Sequence, residues 1–345
     1  MLRESIGRIV EGQTLDIESM TEAVGTIMEG QATGAQIGAF LTALRLRGET
    51  GEEIAGAALA LRDRCIRLPD AGDGEDNSLI DTCGTGGDGV GTVNISTLAA
   101  IVAAGAGAHV AKHGNRSVSS LCGSADLLTA LGVRIDVSPE VSAKCLREAG
   151  FAFLFAPLYH PAMKSVASAR QEMGIRTLFN LIGPLCNPAG VRRQVMGVYS
   201  EDLVEVIAGV LGKLGCKRAM VVASRDGLDE ISVCAPTKVA HLYSNGKIEI
   251  DTLAPDDLGI MKHRPDSLKG GDPQHNATVS MNLLKGSPGA LRDAVTVNAG
   301  AALFVSGGAS DIAEGMKMAG DSIDSGKALN VLEMAKGITS AEGSQ

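Results

Sequence analysis

Leu79-Ile80-Asp81-Thr82-Cys83-Gly84-Thr85-Gly86-Gly87-Asp88-Gly89-Val90-Gly91-Thr92-Val93-Asn94-Ile95-Ser96-Thr97 is the stretch whose reading decides the fold. A short apolar run leads into five glycines within the eight positions from Gly84 to Gly91, and a small-residue helical pattern follows. Glycine permits positive φ and lets the backbone approach a ligand closely. Successive turns of this kind aim several N–H groups at one anion. A helix opening near Asn94 or Ser96, both good N-cap types, adds its positive dipole end. The pattern reads as strand, phosphate cradle, helix, with a plain strand-to-helix turn as the alternative. Gly84, Gly86 and Gly89 also satisfy G-x-G-x-x-G. A dinucleotide site wants an acidic residue ~20 positions later, and Ala104-Gly105-Ala106-Gly107-Ala108-His109 offers none. No Lys-Ser/Thr pair follows Gly89, so a P-loop fails as well.

Outward from this stretch, strands and helices alternate. Ser78–Asp81, His109–Lys112, Val133–Asp136 and Phe151–Ala156 have strand character, the last as a continuous apolar run. Ile95–Gly105 and Gly123–Leu131 are helical, and Ser138-Pro139-Glu140 opens another helix with Pro at its first position. Val195–Val198, Ala219–Ala223 and Ile231–Cys234 resume strand character, with a helix over Leu203–Leu214. Lys238–Tyr243 and Lys247–Asp251 form a hairpin across Ser244-Asn245-Gly246. From Val279 onward the chain is helical, including Val295–Val305, Ala313–Met318 and Leu329–Ala335. Such alternation predicts a mainly parallel sheet covered by helices, with phosphate sites at the carboxyl ends of its strands.

The first 68 residues carry only helical spacing. One helix runs from about Thr33 to Arg47 and ends at Gly48, and Thr50-x-x-Glu53 is a capping box opening the next. Pro69–Asn77 reads as a linker, and helix predominates again between Pro161 and Pro188. The fold class is therefore α/β: a small all-helical N-terminal domain plus a larger α/β domain with a mainly parallel central sheet. Residues 1–70, joined by about 161–188, form the first; 75–160 and 190–345 form the second.

Composition narrows the function. A net charge of −9 weighs against broad nucleic-acid binding, and 3% aromatic residues with no Trp leave little for base stacking. Seven scattered cysteines, none in C-x-x-C spacing, argue against disulfides and structural zinc and for a reducing cytoplasm. No signal-peptide h-region is seen, and the run Leu98–Val110 is too short to span a bilayer, so no membrane role is expected.

Two further stretches carry chemistry. Lys112-His113-Gly114-Asn115-Arg116-Ser117-Val118-Ser119-Ser120 packs two cations, a histidine, an amide and three hydroxyls into nine residues after a strand. That inventory suits a polyanion, or else a solvated polar loop. Ser124, in Gly123-Ser124-Ala125-Asp126, is a phosphate contact or a helix cap. Asp229-Glu230, after an apolar run, is a solvated turn or a magnesium site beside a pyrophosphate. Arg170, taken alone, is a surface-helix arginine.

Taken together and in this order, Gly84–Asp88, Asn94–Thr97, Lys112–Arg116, Gly123–Asp126, His160-Pro161-Ala162-Met163, Arg170, Arg176–Asn180 and Asp229-Glu230 resemble the anthranilate phosphoribosyltransferases of tryptophan biosynthesis, over nearly the whole chain. The resemblance implies attack of the anthranilate amine on C1′ of 5-phosphoribosyl-1-pyrophosphate (PRPP), with loss of pyrophosphate, in a homodimer joined through the helical domain. It implies PRPP contacts from Gly84, Gly87, Asp88, Thr92, Asn94, Ile95, Ser96, Thr97, Lys112, His113, Gly114, Asn115, Arg116, Ser117, Val118, Ser119, Ser120 and Ser124. It implies Mg²⁺ held by Ser96, Asp229 and Glu230. Anthranilate falls to Gly84, Asn115 and Arg170, with His113 close by. An aromatic amine is neutral at pH 7 and needs no strong base, so alignment and neutralisation of the leaving group are expected to carry catalysis, with no covalent enzyme intermediate. A pyrimidine nucleoside phosphorylase, a nucleic-acid-binding relative and an NAD dehydrogenase are the competing readings.

Overall fold

The computed structural model describes residues 2–71, 78–87, 89–117 and 121–341. Four helices come first: α1 (Leu2–Val10), α2 (Ile17–Met28), α3 (Gly34–Arg47) and α4 (Gly51–Arg62). Both α3 and α4 open on full capping boxes, Thr33 with Gln36 and Thr50 with Glu53. Glu53 does more than cap. It is fully buried, accepts from the Thr50 N–H at 2.8 Å and the Leu15 N–H at 2.9 Å, and pairs with Arg47. One carboxylate thus fastens α4 to the loop between α1 and α2, and burial is tolerated because every oxygen has a donor.

The α/β part runs β1 (Ile80–Asp81), α5 (Ile95–Gly105), β2 (Val110–Gly114), α6 (Ser124–Ala130), α7 (Pro139–Ala149), β3 (Phe151–Phe155), and the short α8 (Ala156–Tyr159). Helices α9 (Lys164–Met173) and α10 (Phe179–Ile182) return the chain to the first four helices. Then follow β4 (Arg193–Gly197), α11 (Asp202–Lys213), β5 (Arg218–Ser224), β6 (Thr237–Leu242) and β7 (Ile248–Leu253). Helices α12 (Pro273–Leu284), α13 (Ala290–Ser306), α14 (Ile312–Asp324) and α15 (Lys327–Ala341) finish it. The sheet order is β3-β2-β1-β4-β5-β6-β7. Pairs among β1 to β5 are parallel, and β6 and β7 add an antiparallel hairpin edge. Strand order reverses between β1 and β4, which is where a doubly wound sheet opens a ligand crevice. The glycine stretch leaves β1 at that point.

Period-two alternation assigns the sheet faces. Val195, Met220 and Val222 point into a core built with α5, α6 and α12 to α15. Met196, Ala219, Val221 and Ala223 point the other way, into a core shared with α1 to α4, α11 and the segment from Leu178 to Cys186. The helical start therefore packs on the sheet through a continuous core.

Two expected strands are absent. Val133–Asp136 is irregular, although Val133, Ile135 and Val137 are buried at alternate positions as in a strand. The Arg134 N–H donates to Thr339 Oγ1 on α15 at 3.2 Å, so this segment is satisfied by a helix side chain. Ile231–Cys234 is irregular too, because the side chains of Asn298, Thr237 and Ser232 take its backbone groups. The C-terminal helices begin earlier than expected, at Pro273, where Asp272 caps α12. Of the expected linker, residues 72–77 lie outside the described residues, and the Leu68 N–H donates to the Pro188 carbonyl at 3.1 Å. Among the described residues no helix is long and apolar enough to cross a membrane.

Candidate active site

Beyond β1 the chain keeps pairing with β4 for a few residues: Gly84 bridges Gly197, and the Thr85 N–H donates to the Gly197 carbonyl at 2.9 Å. Gly86, Gly87, Gly89 and Gly91 then all take positive φ, between 62° and 77°. This left-handed run is the backbone of an anion nest. Asp88 lies outside the described residues. The loop is held on two sides. The Gly86 N–H donates to Asp229 Oδ2 at 2.9 Å, and Arg176 donates to the Gly87 carbonyl while its guanidinium lies over the Tyr199 ring at 4.6 Å. At its far end Thr92 pairs with Lys269 and the Val93 N–H donates to the Leu268 carbonyl at 3.1 Å. Asn94 occupies the N-cap position of α5, but no side chain caps that helix. The Asn94 amide is used elsewhere, donating to the Cys122 carbonyl at 2.9 Å and accepting from Asn276 at 3.3 Å. Ile95 and Thr97 are fully buried, Ile95 within the core that α5 helps to build.

Lys112 and His113 both belong to β2 and are buried; the expected strand ended at Lys112, and the strand in the structure runs on through His113 to Gly114. Lys112 Nζ donates to the Thr82 carbonyl at 2.8 Å. Burial lowers its pKa, opposed by the negative charges of Asp81, Glu230 and Asp229. Asp81, also fully buried, accepts from Asn187 Nδ2 at 2.7 Å and from the His113 N–H at 3.3 Å. His113 Nδ1 meets the Gly183 carbonyl at 3.2 Å, so Nδ1 carries the proton and Nε2 is the acceptor. Nε2 is buried without a hydrogen-bond partner among the described residues, and the ring sits 5.0 Å from that of His160.

Burial pushes His113 down to about 3 and His160 down to about 4. Both stay neutral in the folded state through the physiological range, whereas unfolded histidines titrate near ~6.5. Below about pH 6.5 the unfolded chain therefore binds protons that the folded chain refuses. Stability is expected to fall on acidification through this window, by roughly 1.4 kcal/mol per pH unit for each histidine. Urea midpoints between about pH 7 and about pH 5 check this, and a His113→Gln, His160→Gln variant should flatten the slope. An unchanged slope in that variant would contradict the neutral buried pair.

The loop after β2 is organised by Asp126. Its carboxylate pairs with Arg116 at 2.8 Å and accepts from the Ser117 and Gly123 N–H groups at 3.1 and 3.0 Å. Gly123 is the N-cap of α6, and Ser124 Oγ donates to the Asn115 carbonyl at 3.1 Å, so Ser124 ties the loop and is not the cap. Val118, Ser119 and Ser120 lie outside the described residues.

Asp229 and Glu230 follow β5 and line one cavity with Thr82, Gly84, Ser96, Gly197 and Asn298. The structure thus brings Gly84, Ser96, Asp229 and Glu230 together, with Lys112 within Coulomb reach beneath them. Burial raises the Asp229 pKa, opposed by the Gly86 N–H and by a hydrogen bond with the Glu230 carboxyl. Asp229 is buried and Glu230 half-buried, and two carboxyl groups in contact hold both charges more readily when a cation joins them. Two carboxylates and a hydroxyl at the mouth of an anion nest fit Mg²⁺, which keeps waters and shares its shell with substrate phosphates. Arg170 stands apart on α9, its guanidinium half-buried over the Phe179 ring at 5.7 Å. Among the described residues no hydrogen bond joins it to Gly84 or Asn115. Asp81, Asn187 and Asn298 support this site without having been given a role from sequence, and Arg176 stood only within a motif of the resemblance. Asn298 alone had a signal, as the one amide in the apolar run Ala294–Val305.

Two family models cover the chain: the glycosyl transferase family helical bundle domain matches residues 3–65, and the glycosyl transferase family a/b domain matches residues 76–329. The fold is that of a two-part glycosyl transferase. Anthranilate phosphoribosyltransferase of Moorella thermoacetica is 50% identical over 333 residues, covering 96% of this chain and 97% of that protein. Among solved structures, anthranilate phosphoribosyltransferase of Thermus thermophilus superposes with TM-score 0.89 at 39% identity, covering 97% of this chain and 99% of that one. The Saccharomyces cerevisiae enzyme in complex with PRPP and Mg gives 0.88 at 29% identity, covering 99% and 98%. The chain belongs to the anthranilate phosphoribosyltransferases.

Proposed function

We infer that this chain transfers the phosphoribosyl group of PRPP to anthranilate, releasing pyrophosphate and giving N-(5-phosphoribosyl)anthranilate. The observation that carries the reading is the meeting of Gly84, at the root of the glycine loop, with Ser96, Asp229 and Glu230 in one cavity at the switch point of the sheet, where the left-handed Gly86 donates its N–H to Asp229. The amine lone pair forms the N–C1′ bond as the C1′–O bond breaks. Pyrophosphate leaves with the electron pair, and the surplus amine proton passes to solvent. Gly84, Gly87, Asp88, Thr92, the 94–97 segment and the 112–120 segment with Ser124 surround PRPP. Backbone N–H groups receive its phosphates, and Lys112 acts as a buried positive charge beneath them. Ser96, Asp229 and Glu230 would hold Mg²⁺, which when bound would neutralise charge on the departing pyrophosphate. His113, being neutral, orients without acting as a cation or a strong base.

Anthranilate lies toward Gly84, Asn115 and Arg170, where Arg170 grips its carboxylate. Replacing Arg170 by alanine is expected to raise the anthranilate KM ~10- to 100-fold, the worth of a charge-assisted pair, while the PRPP KM moves little. Steady-state kinetics with each substrate varied in turn checks this.

The activity itself is read as loss of anthranilate fluorescence on adding PRPP and Mg²⁺, against a protein with no Trp. No turnover by folded protein would sink the reading, and phosphorolysis of thymidine or uridine would place the chain among the nucleoside phosphorylases instead. A homodimer through the helical part is in keeping with exposed Val10 and Leu46 on α1 and α3, and sedimentation velocity tests it. Seven free cysteines suit a reducing, cytoplasmic setting, which cell fractionation tests.

A further inference from the structure

Asn298 sits on α13, far along the chain from Asp229 and Glu230, and is 4% exposed. Its Oδ1 accepts from the Ile231 N–H at 3.0 Å, and its Nδ2 donates to the Ile231 carbonyl at 2.9 Å and to the Ala294 carbonyl at 2.9 Å. Ile231 directly follows the carboxylate pair, and its side chain is fully buried. The same amide lines the cavity that holds Asp229, Glu230 and Ser96.

We propose that Asn298 is a positioning residue for the binding of Mg²⁺ with PRPP. It clamps both backbone polar groups of Ile231 and so fixes the direction in which Asp229 and Glu230 enter the cavity. The proposal rests on the reading of those two residues as metal ligands. Residues 231–234 lack a strand partner; side chains meet the N–H groups of Ile231, Ser232 and Cys234, the His263 N–H meets the Val233 carbonyl, and Asn298 provides the first of those holds. The requirement is for one donor and one acceptor in a single plane, without charge. A leucine supplies neither. An aspartate supplies two acceptors, sets a carboxylate against the Ile231 carbonyl, and adds a third acid beside Asp229 and Glu230. Without the amide, both of these buried backbone groups lose a partner. The loop recovers them only by shifting, and the carboxylates shift with it. Outer partners of this kind typically govern metal affinity by ~10- to 100-fold.

The test is binding, read separately for the two substrates. Isothermal titration of PRPP in the presence of Mg²⁺, and electron paramagnetic resonance of Mn²⁺ with PRPP, are carried out on wild type, Asn298→Ala and Asn298→Ser. Anthranilate affinity is followed by its fluorescence. The alanine variant is expected to lose at least ~10-fold in metal–PRPP affinity and to hold anthranilate within about two-fold. The serine variant, which keeps one hydrogen bond, should fall between and stands in if the alanine variant does not fold. Raising Mg²⁺ should narrow the gap. Wild-type metal–PRPP affinity in these variants, or equal weakening of both substrates, overturns the positioning role. An Asp229→Ala, Glu230→Ala control separates the layers. If it loses metal–PRPP binding and the Asn298 variants do not, only the positioning role fails; if it too binds normally, the metal assignment fails.

Discussion

Replacing Asp229 and Glu230 together by alanine is expected to lower kcat/KM for PRPP by roughly 100- to 1000-fold, the range seen when an electrostatic partner of a developing charge is removed. Anthranilate affinity should move by no more than a few-fold. The direction for stability is the less obvious part. Asp229 is buried, burial raises its pKa, and Glu230 is hydrogen-bonded to it. Such a pair costs free energy in the metal-free protein, and removing both members takes that cost away. Against this stand the lost hydrogen bond from the Gly86 N–H to Asp229 Oδ2, worth about 1 kcal/mol, and the loss of two negative charges that offset the burial of the Lys112 cation. The thermal midpoint without metal should therefore move little, whereas the stabilisation that wild type gains from Mg²⁺ with PRPP should vanish. Kinetics with PRPP varied, and melting curves with and without Mg²⁺ and PRPP, measure both. A variant that melts much lower and weakens for both substrates alike would show the pair to be structural.

Much of this was legible in the sequence because it is written in local pattern. Thr50-x-x-Glu53 and Ser138-Pro139-Glu140 announce helix starts that the structure keeps. Apolar runs marked the strands that are buried on both faces, such as Phe151–Phe155 and Arg218–Ser224. The glycine run announced its own left-handed backbone. What local pattern cannot carry is the identity of a distant partner. Val133–Asp136 and Ile231–Cys234 alternate like strands, but their backbone groups are met by Thr339 and Asn298, both far along the chain. Lys112 was legible as a cation near phosphate, yet its burial follows from β2 lying between β1 and β3. That placement comes from sheet order, which no stretch of the sequence states by itself. The carboxylate of Asp126 was visible as a residue, but its grip on Arg116, Ser117 and Gly123 appears only when the loop closes on α6.

Gly197 is the position where a single methyl group should do the most damage. A Cβ built there would lie 1.5 Å from the Asp229 carbonyl oxygen and 2.6 Å from its carbon. Both atoms are backbone, so no rotamer change relieves the overlap, and either β4 or the Asp229 loop must move. β4 is the poorer candidate, since it is paired on both sides, with β1 and β5. The Gly197 carbonyl is also the acceptor for Thr85 at the root of the glycine loop. Displacement of the Asp229 loop carries Asp229 and Glu230 out of register with Ser96 and strips the Gly86 N–H of its acceptor. Gly197→Ala is therefore expected to abolish measurable transfer and to cost on the order of 3 kcal/mol or more in stability, as overpacking against fixed backbone does. Gly84→Ala makes the instructive contrast. Its Cβ would come within 2.3 Å of Asp229 Oδ2, the end of a side chain that can rotate away. That variant should fold with a stability loss of about 1 kcal/mol and still lose Mg²⁺-dependent use of PRPP, because the displaced atom is the carboxylate itself. Urea unfolding with PRPP kinetics on both variants decides the matter. If Gly197→Ala is as stable as wild type and active, the close packing of β4 against the Asp229 backbone, and with it the account of how this site is built, is wrong.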